Sequence, residues 1–296
     1  GQVSEEGVLE VLADLWPGLA AVFGLFLAVG FLAQLVDGAV GMAYGVISSS
    51  VLLAFGVPPA QASATIHAAE CFTTGASGAS HMLHKNVDWK LFWRLAPAGV
   101  VGGVIGAYLL TGFDATFIKA IVIAYLGVLG VYMLSRAIRE PREEPPHLKH
   151  VVPLGIAGGF LDASGGGGWG PVVTSTLLGR GHAPRYVIGS VNSAEFVVTV
   201  AISLTFLWTL ITGRFELEGG LWTGGAAMAG LIVGGLVAAP LAGYVTKIAP
   251  ARFLLGAASV LVITLSIWQG IQLWPKLLQY PIFNEMVQYT GLAVNH

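Results

Sequence analysis

Residues 162–170 read DASGGGGWG, and 125 positions earlier residues 37–45 read DGAVGMAYG. Both stretches belong to a longer match, because residues 37–74 align with residues 162–199 without a gap and share 11 identical positions. The identities fall on glycines, a proline, two acids and two hydroxyl residues as well as on apolar ones, so a shared hydrophobic composition does not explain them. The chain is therefore a duplication, and each half carries a glycine cluster just after an aspartate.

The composition places the chain in a membrane. Apolar residues make up 55% of the 296 positions, charged residues only 10%, and the mean hydropathy is +0.77. These values are typical of a chain that lies mostly in lipid. The net charge of -2 gives no support for binding to nucleic acid. Cys71 is the only cysteine, which excludes a disulfide within the chain and a cysteine-rich metal cluster.

Apolar runs divide the chain into helical segments. Two short runs, 44–56 and 169–180, follow the glycine clusters and cannot cross about 30 Å of hydrocarbon, which suits short or broken helices packed inside protein. Each repeat then has five segments, and an odd number forces the second repeat to enter the membrane upside down. The sequence predicts an all-α, polytopic membrane protein of two inverted repeats, 15–136 and 151–274, with about five transmembrane segments each. The longer runs are 15–36, 59–82, 91–112, 116–136, 151–162, 185–211, 220–244 and 252–274.

The positions of Lys and Arg agree with this topology, because cytoplasmic loops are enriched in both. Ten crossings from an external N-terminus place 11 of the 14 on the cytoplasmic side. We predict a multi-pass protein of the inner (cytoplasmic) membrane, with an extracytoplasmic segment at 1–14 and a cytoplasmic linker at 137–150. The tail, 275–296, suits an interfacial or extracytoplasmic segment, or a subunit contact in a homo-oligomer. The 11 residues are Lys85, Lys90, Arg94, Arg136, Arg139, Arg142, Lys149, Arg180, Arg185, Lys247 and Arg252.

The glycine clusters are the candidate binding site. A helix that begins at such a cluster presents backbone N–H groups with partial positive charge, which hold an anion without Lys or Arg. Alternatively, the glycines permit tight helix packing and the nearby hydroxyls bond to backbone carbonyls. Four consecutive glycines with a glycine-rich counterpart in the other half favour the anion site. The candidate residues are Gly41, Gly45, Ser49, Ser50, Gly166, Gly167, Gly168, Trp169, Gly170, Thr174 and Ser175.

Four carboxylates occupy duplicated positions in apolar surroundings, Asp37 with Asp162 and Glu70 with Glu195. A charge at membrane depth is costly unless it is paired, solvated or neutralised. Asp37 and Asp162 also suit caps on the helices that follow. An anion at the helix starts would be repelled by ionised carboxylates and attracted once these are protonated. The four acids are thus proton-coupling or structural candidates in a secondary transporter.

Glu70 and Glu195 each follow a polar residue by three positions, and this spacing puts both members of a pair on one helix face. The polar residues are His67 and Asn192, which we assign as candidate substrate contacts. His67-x-x-Glu70 is in principle half of a metal site. The sequence has no second such pair, so it favours hydrogen-bonded pairing over metal binding and assigns no metal ligand.

The stretch GGFLDASGGGGWGPVVTSTLL resembles the TauE/SafE sulfite exporter family, also called the toluene-sulfonate uptake permease family. The G-x-x-x-G cluster of the first half, its serine-rich short segment and the following G-x-x-P resemble it too. The resemblance covers roughly residues 20–270. It implies an alternating-access transporter of sulfite, sulfoacetate or other organosulfonates, and we expect a proton-coupled exporter. The matching positions are Gly41, Gly45, Ser50, Gly165, Gly166, Gly167, Gly168, Trp169, Gly170, Pro171 and Ser175.

A channel or carrier for Na⁺ or a metal ion is the main alternative, since buried carboxylates without Lys or Arg suit a cation. Against it, cation sites need several convergent oxygens, whereas glycine clusters that open helices present N–H groups. Intramembrane hydrolysis is a weaker option because no G-x-S-x-G or H-E-x-x-H motif occurs. The sequence therefore predicts no enzyme activity and no cofactor.

Overall fold

The fold is given by a computed structural model that describes residues 5–138, 150–178, 184–218, 220–248 and 250–278. Within these ranges the chain is almost entirely helical and contains no strand, which confirms the predicted all-α class. The linker predicted at 137–150 and the tail predicted at 275–296 lie mostly outside the described residues.

The first half forms five helices. They are α1 (Glu5–Val40), α2 (Tyr44–Ala54), α3 (Pro59–Leu83), α4 (Trp89–Leu110) and α5 (Ala115–Ile138). The second half follows the same order, with a π-helical turn at the start of its short element. It consists of α6 (Val151–Gly165), the π-helical turn (Trp169–Thr174), α7 (Ser175–Leu178), α8 (Pro184–Ile211), α9 (Gly220–Ile248) and α10 (Ala251–Leu277).

In the part of the chain that the structure describes, six helices are long and apolar enough to cross a membrane, namely α1, α4, α5, α8, α9 and α10. Helix α3 is 25 residues long but rich in Ser, Thr and other polar residues, which lowers its hydropathy. The 11 residues of α2 span about 16 Å at about 1.5 Å per residue, roughly half of the hydrocarbon thickness. The predicted short elements after both glycine clusters are therefore confirmed.

Helix packing repeats the duplication. By their order in each half, α1 corresponds to α6 and α4 to α9. The packed pair α1 with α9 therefore corresponds to the packed pair α4 with α6. Two further pairs, α3 with α8 and α5 with α10, each join a helix to its own counterpart. The two halves are therefore interlocked around shared contacts. The upside-down orientation of the second repeat stays a prediction.

Large apolar side chains cover the outer surface of the helices. Leu32, Val128, Leu204 and Ile271 are each at least 60% exposed. Such a surface is costly in water and suits contact with lipid. The described chain is therefore a polytopic membrane protein, and its polar interior needs a separate explanation.

Candidate functional site

The two short helices begin where the halves of the chain cross. At Gly45, an added Cβ would lie 2.5 Å from the carbonyl oxygen of Gly166 and 2.8 Å from Cα of Gly167. Contacts this close leave no room for a side chain at position 45. Glycine is therefore required where the two backbones touch. The glycine clusters of the two repeats therefore meet each other.

The backbone bends sharply just before each short helix. Gly41 has φ +74° and Gly166 has φ +69°, the left-handed region that glycine adopts without strain. Ala43, which precedes α2, has φ 116°, a conformation that is uncommon for a residue with a Cβ. These bends turn the starts of the short helices into the protein.

The duplicated aspartates form hydrogen bonds at these helix starts. The Oδ1 atom of Asp37 accepts a hydrogen bond from the Tyr44 N–H at 3.3 Å. The Oδ1 atom of Asp162 accepts two, from the Gly168 N–H at 2.7 Å and the Trp169 N–H at 3.0 Å. Both aspartates thus accept hydrogen bonds from the first N–H groups of the short elements, as the capping role requires, and that role stays a prediction. These hydrogen bonds also mean that some of the N–H groups expected to be free for an anion are already engaged.

Other backbone donors stay open. Gly45, Val46 and Gly167 line the central cavity, and within the described ranges none of their N–H groups has a hydrogen-bond acceptor. Open N–H groups at the start of a helix carry partial positive charge. The site therefore keeps a reduced set of donors for a negatively charged group.

All four duplicated acids line this one cavity. Asp37 and Glu70 reach it from the first half, and Asp162 and Glu195 from the second. Among the described lining residues there is no Lys or Arg. The cavity volume is about 20 Å³, room for roughly one water molecule. The site is thus acidic, shared by both repeats, and too small for an oxyanion in this conformation.

The predicted contacts divide into two groups. Gly45, Gly167, Gly170 and Asn192 line the cavity together with the four acids. The remainder lie outside its lining in this conformation. They are Gly41, Ser49, Ser50, Gly166, Gly168, Trp169, Thr174, Ser175 and His67.

Two of those remaining residues donate hydrogen bonds to backbone carbonyls, one across the two halves and one within the second half. The Ser49 hydroxyl donates to the Gly165 carbonyl at 2.6 Å, which links α2 to the end of α6. The Trp169 side chain is completely buried, and its indole N–H donates to the Val191 carbonyl at 3.3 Å. Ser49 thus follows the packing alternative, whereas the buried hydroxyls of Ser50 and Thr174 have no hydrogen-bond partner among the described residues.

The sequence prediction missed five polar or aromatic residues in the cavity lining, Gln34, Tyr44, Thr73, Thr74 and Ser77. Three of them could have been found, since residues three, four and seven positions after Glu70 share its helix face. Thr74 was also one of the duplicated identities.

His67 lies behind the cavity and joins the two halves. Its Nε2 atom is 3.2 Å from Oδ2 of Asp162, and both side chains are buried. Nδ1 of the same ring is 2.7 Å from the Ser63 carbonyl oxygen. This contact between His67 and Asp162 was not predicted, because the two residues are 95 positions apart.

Interlocked repeats, broken helices and buried acids at the point where the repeats meet define a polytopic membrane transporter. Residues 26–268 match the family described as sulfite exporter TauE/SafE, and the chain belongs to that family. This confirms the resemblance seen in the glycine motifs, and it agrees with the prediction of no enzyme activity.

A curated relative points the same way. The chain is 41% identical over 230 residues to the "Probable membrane transporter protein YtnM" of Bacillus subtilis (strain 168). The match covers 75% of this chain and 74% of the relative. Among solved structures, none matches the chain.

Proposed function

We propose that the protein exports a small sulfur-containing anion, such as sulfite, sulfoacetate or another organosulfonate, across the inner membrane with coupling to protons. The observation that carries this proposal is the single cavity in which four acids meet open backbone N–H groups of both repeats. The family supplies the class of substrate.

The charges at the cavity explain the coupling. With Asp37, Glu70, Asp162 and Glu195 ionised, an anion beside Gly45 would meet four negative groups and no lysine or arginine in the described lining. Protonation of the acids removes this repulsion and leaves the N–H donors as the attractive element. Proton and anion then bind together and move in the same direction.

The membrane potential favours export under this scheme. A divalent anion that leaves with one proton still carries one negative charge outward. In a cell that is negative inside, this transfer gains about 2.3 kcal/mol per 100 mV. Protonation therefore makes anion binding favourable, and the membrane potential drives the anion outward.

The test is efflux from proteoliposomes loaded with sulfite or sulfoacetate, at about pH 5.5 and about pH 7.5, with ligand binding checked by thermal stabilisation. We expect faster efflux at the lower pH and loss of that dependence in Glu70→Gln or Glu195→Gln. Unchanged pH dependence in both variants would refute the coupling. Absence of stabilisation by every sulfur anion would refute the substrate class.

A carrier for a metal ion is the second candidate, because His67, Glu70 and Asp162 present ligand atoms that lie within 4.8 Å of one another. The same proteoliposomes distinguish it. A cation carrier would move the metal ion itself across the membrane and would respond to no sulfur anion.

A further inference from the structure

Three buried side chains from both repeats converge beside the cavity. His67, Glu70 and Asp162 are 0%, 4% and 2% exposed, and one ligand atom of each lies within 4.8 Å of the other two. The sequence offered only His67 and Glu70 as half of a metal site. The fold supplies the third group from the other repeat.

The hydrogen bonds around His67 fix where its proton lies. Nδ1 faces the Ser63 carbonyl oxygen at 2.7 Å, and a carbonyl only accepts, so Nδ1 carries hydrogen. The Ser63 hydroxyl donates its own proton to the Ala163 carbonyl at 2.6 Å, so it too is an acceptor toward Nδ1. In a neutral imidazole, Nε2 then carries no hydrogen, and its lone pair points away from Ser63.

That lone pair faces another acceptor. Oδ2 of Asp162 lies 3.2 Å from Nε2, a separation at which two lone pairs repel unless a cation lies between them. The other oxygen, Oδ1, is held by the N–H groups of Gly168 and Trp169. Both ligands are thus oriented by second hydrogen bonds, as outer-shell partners orient metal-binding His and carboxylate groups.

Glu70 adds a third ligand group to the pair. A proton shared by His67 and Asp162 would involve that pair alone, whereas an ion would also bind the carboxylate of Glu70. Among the described residues nothing forms a hydrogen bond with this carboxylate, although its backbone carbonyl accepts from Thr74 at 2.5 Å. The carboxylate borders the cavity and offers an oxygen within 4.8 Å of the other two ligand atoms, so one ion bound by all three groups neutralises both carboxylates.

We infer that His67, Glu70 and Asp162 bind one divalent transition-metal ion of the Zn²⁺ type. Imidazole disfavours Na⁺, Mg²⁺ and Ca²⁺, which prefer oxygen ligands, and suits zinc and its neighbours. Two carboxylates and one neutral imidazole balance the charge of a divalent ion. Three protein ligands also leave a coordination position open.

The open position gives the ion a role in transport, and this step rests on the proposed function. Glu70 and Asp162 line the central cavity, so an ion bound to them borders the space assigned to the anion. With the ion bound, Glu70 and Asp162 are neutralised without protons, and Asp37 and Glu195 remain as the acids that protonation neutralises. An oxyanion such as sulfite could then complete the coordination of the ion.

The test is titration calorimetry of the purified full chain, stripped with a chelator, against Zn²⁺ and Mg²⁺. His81→Ala/His84→Ala serves as the parent, because these residues near the end of α3 are partly exposed and could bind Zn²⁺ on their own. We expect one Zn²⁺ per chain and much weaker Mg²⁺ binding. Folding of every variant is checked by helical circular dichroism and thermal unfolding.

The duplication provides matched controls. Glu70→Gln and Asp162→Asn should each weaken Zn²⁺ binding at least about tenfold, whereas Glu195→Gln and Asp37→Asn, which alter the equivalent acids outside the cluster, should not. His67→Asn copies Asn192, the residue at the equivalent position, and should also weaken binding. Bound Co²⁺ should show visible absorption bands that disappear in Glu70→Gln.

Each outcome decides the assignment. Absence of Zn²⁺ binding, or equal binding by Glu70→Gln and Glu195→Gln, overturns the site and leaves a shared proton between His67 and Asp162. Zn²⁺ binding without any effect on stabilisation by sulfite supports the metal site and overturns its role toward the anion. Sulfite binding to metal-free protein leaves the proposed function standing while that role fails.

Discussion

Replacement of Gly45 by alanine tests the close contact between the start of α2 and the backbone of Gly166 and Gly167. The added Cβ would lie 2.5 Å from the carbonyl oxygen of Gly166 and 2.8 Å from Cα of Gly167. Ordinary van der Waals contacts begin at about 3.5 Å, so the two backbones would have to separate by roughly 1 Å. Both neighbours are backbone atoms, and no rotamer change can relieve the overlap.

The expected cost follows from these contacts. Overpacking a tight interior costs about 1–3 kcal/mol, and a backbone clash belongs at the upper end. Alanine regains roughly 0.5–1 kcal/mol of helix propensity, which leaves a net loss of about 2 kcal/mol for Gly45→Ala. For a chain of this size that loss should lower the Tm by roughly 4–8 °C.

The assay is thermal unfolding in detergent, followed by helical circular dichroism, alongside anion efflux from proteoliposomes. Gly270→Ala is the matched control, because a Cβ there would meet no atom within 4 Å. It should stabilise α10 by up to about 1 kcal/mol. If Gly45→Ala unfolds at the wild-type temperature and transports normally, the close backbone contact at Gly45 is wrong.

Three further predictions concern single contacts. Ser49→Ala leaves the buried Gly165 carbonyl without its donor and should cost about 1–3 kcal/mol of stability in the same unfolding assay. Asp88→Ala removes the carboxylate that accepts the first N–H groups of α4; it should cost about 1 kcal/mol while the affinity for the anion stays unchanged. Stabilisation by sulfite should be stronger at about pH 5.5 than at about pH 7.5, because protonation lowers the repulsion, and the difference should shrink in Glu70→Gln/Glu195→Gln. Equal stabilisation at both pH values in the wild-type protein would contradict the last of these.

The fold was largely predictable because segment length and the internal repeat are properties of the sequence itself. The run at 59–82 became Pro59–Leu83, and the run at 116–136 became Ala115–Ile138. The first run, predicted to begin at residue 15, instead belongs to a helix from Glu5. The prediction followed the apolar run alone, and the acidic residues before it extend the helix because carboxylates stabilise a helix N-terminus.

The site was only partly predictable. The duplication identified all four acids, since shared apolar character cannot conserve an acid at the same position in both halves. It could not show which side of a short helix faces the cavity, so Ser49 was expected at the anion and instead bonds to Gly165. Nor could spacing reveal the pairing of His67 with Asp162, because that contact depends on how the repeats interlock.

The small cavity constrains how the proposed transport can proceed. Its volume of about 20 Å³ holds roughly one water molecule, so an oxyanion can be loaded only if the surrounding helices separate. Where Gly45 touches Gly166 and Gly167, backbone meets backbone, so no side chain can change its rotamer to make room. Two hydrogen bonds between helices border the cavity. The Asn192 side chain donates to the Ser77 hydroxyl at 3.0 Å and joins α8 to α3, and the Tyr44 hydroxyl donates to the Leu231 carbonyl at 3.0 Å and joins α2 to α9. If these helices separate to load the anion, both bonds break, and the anion or its proton can replace the lost partner.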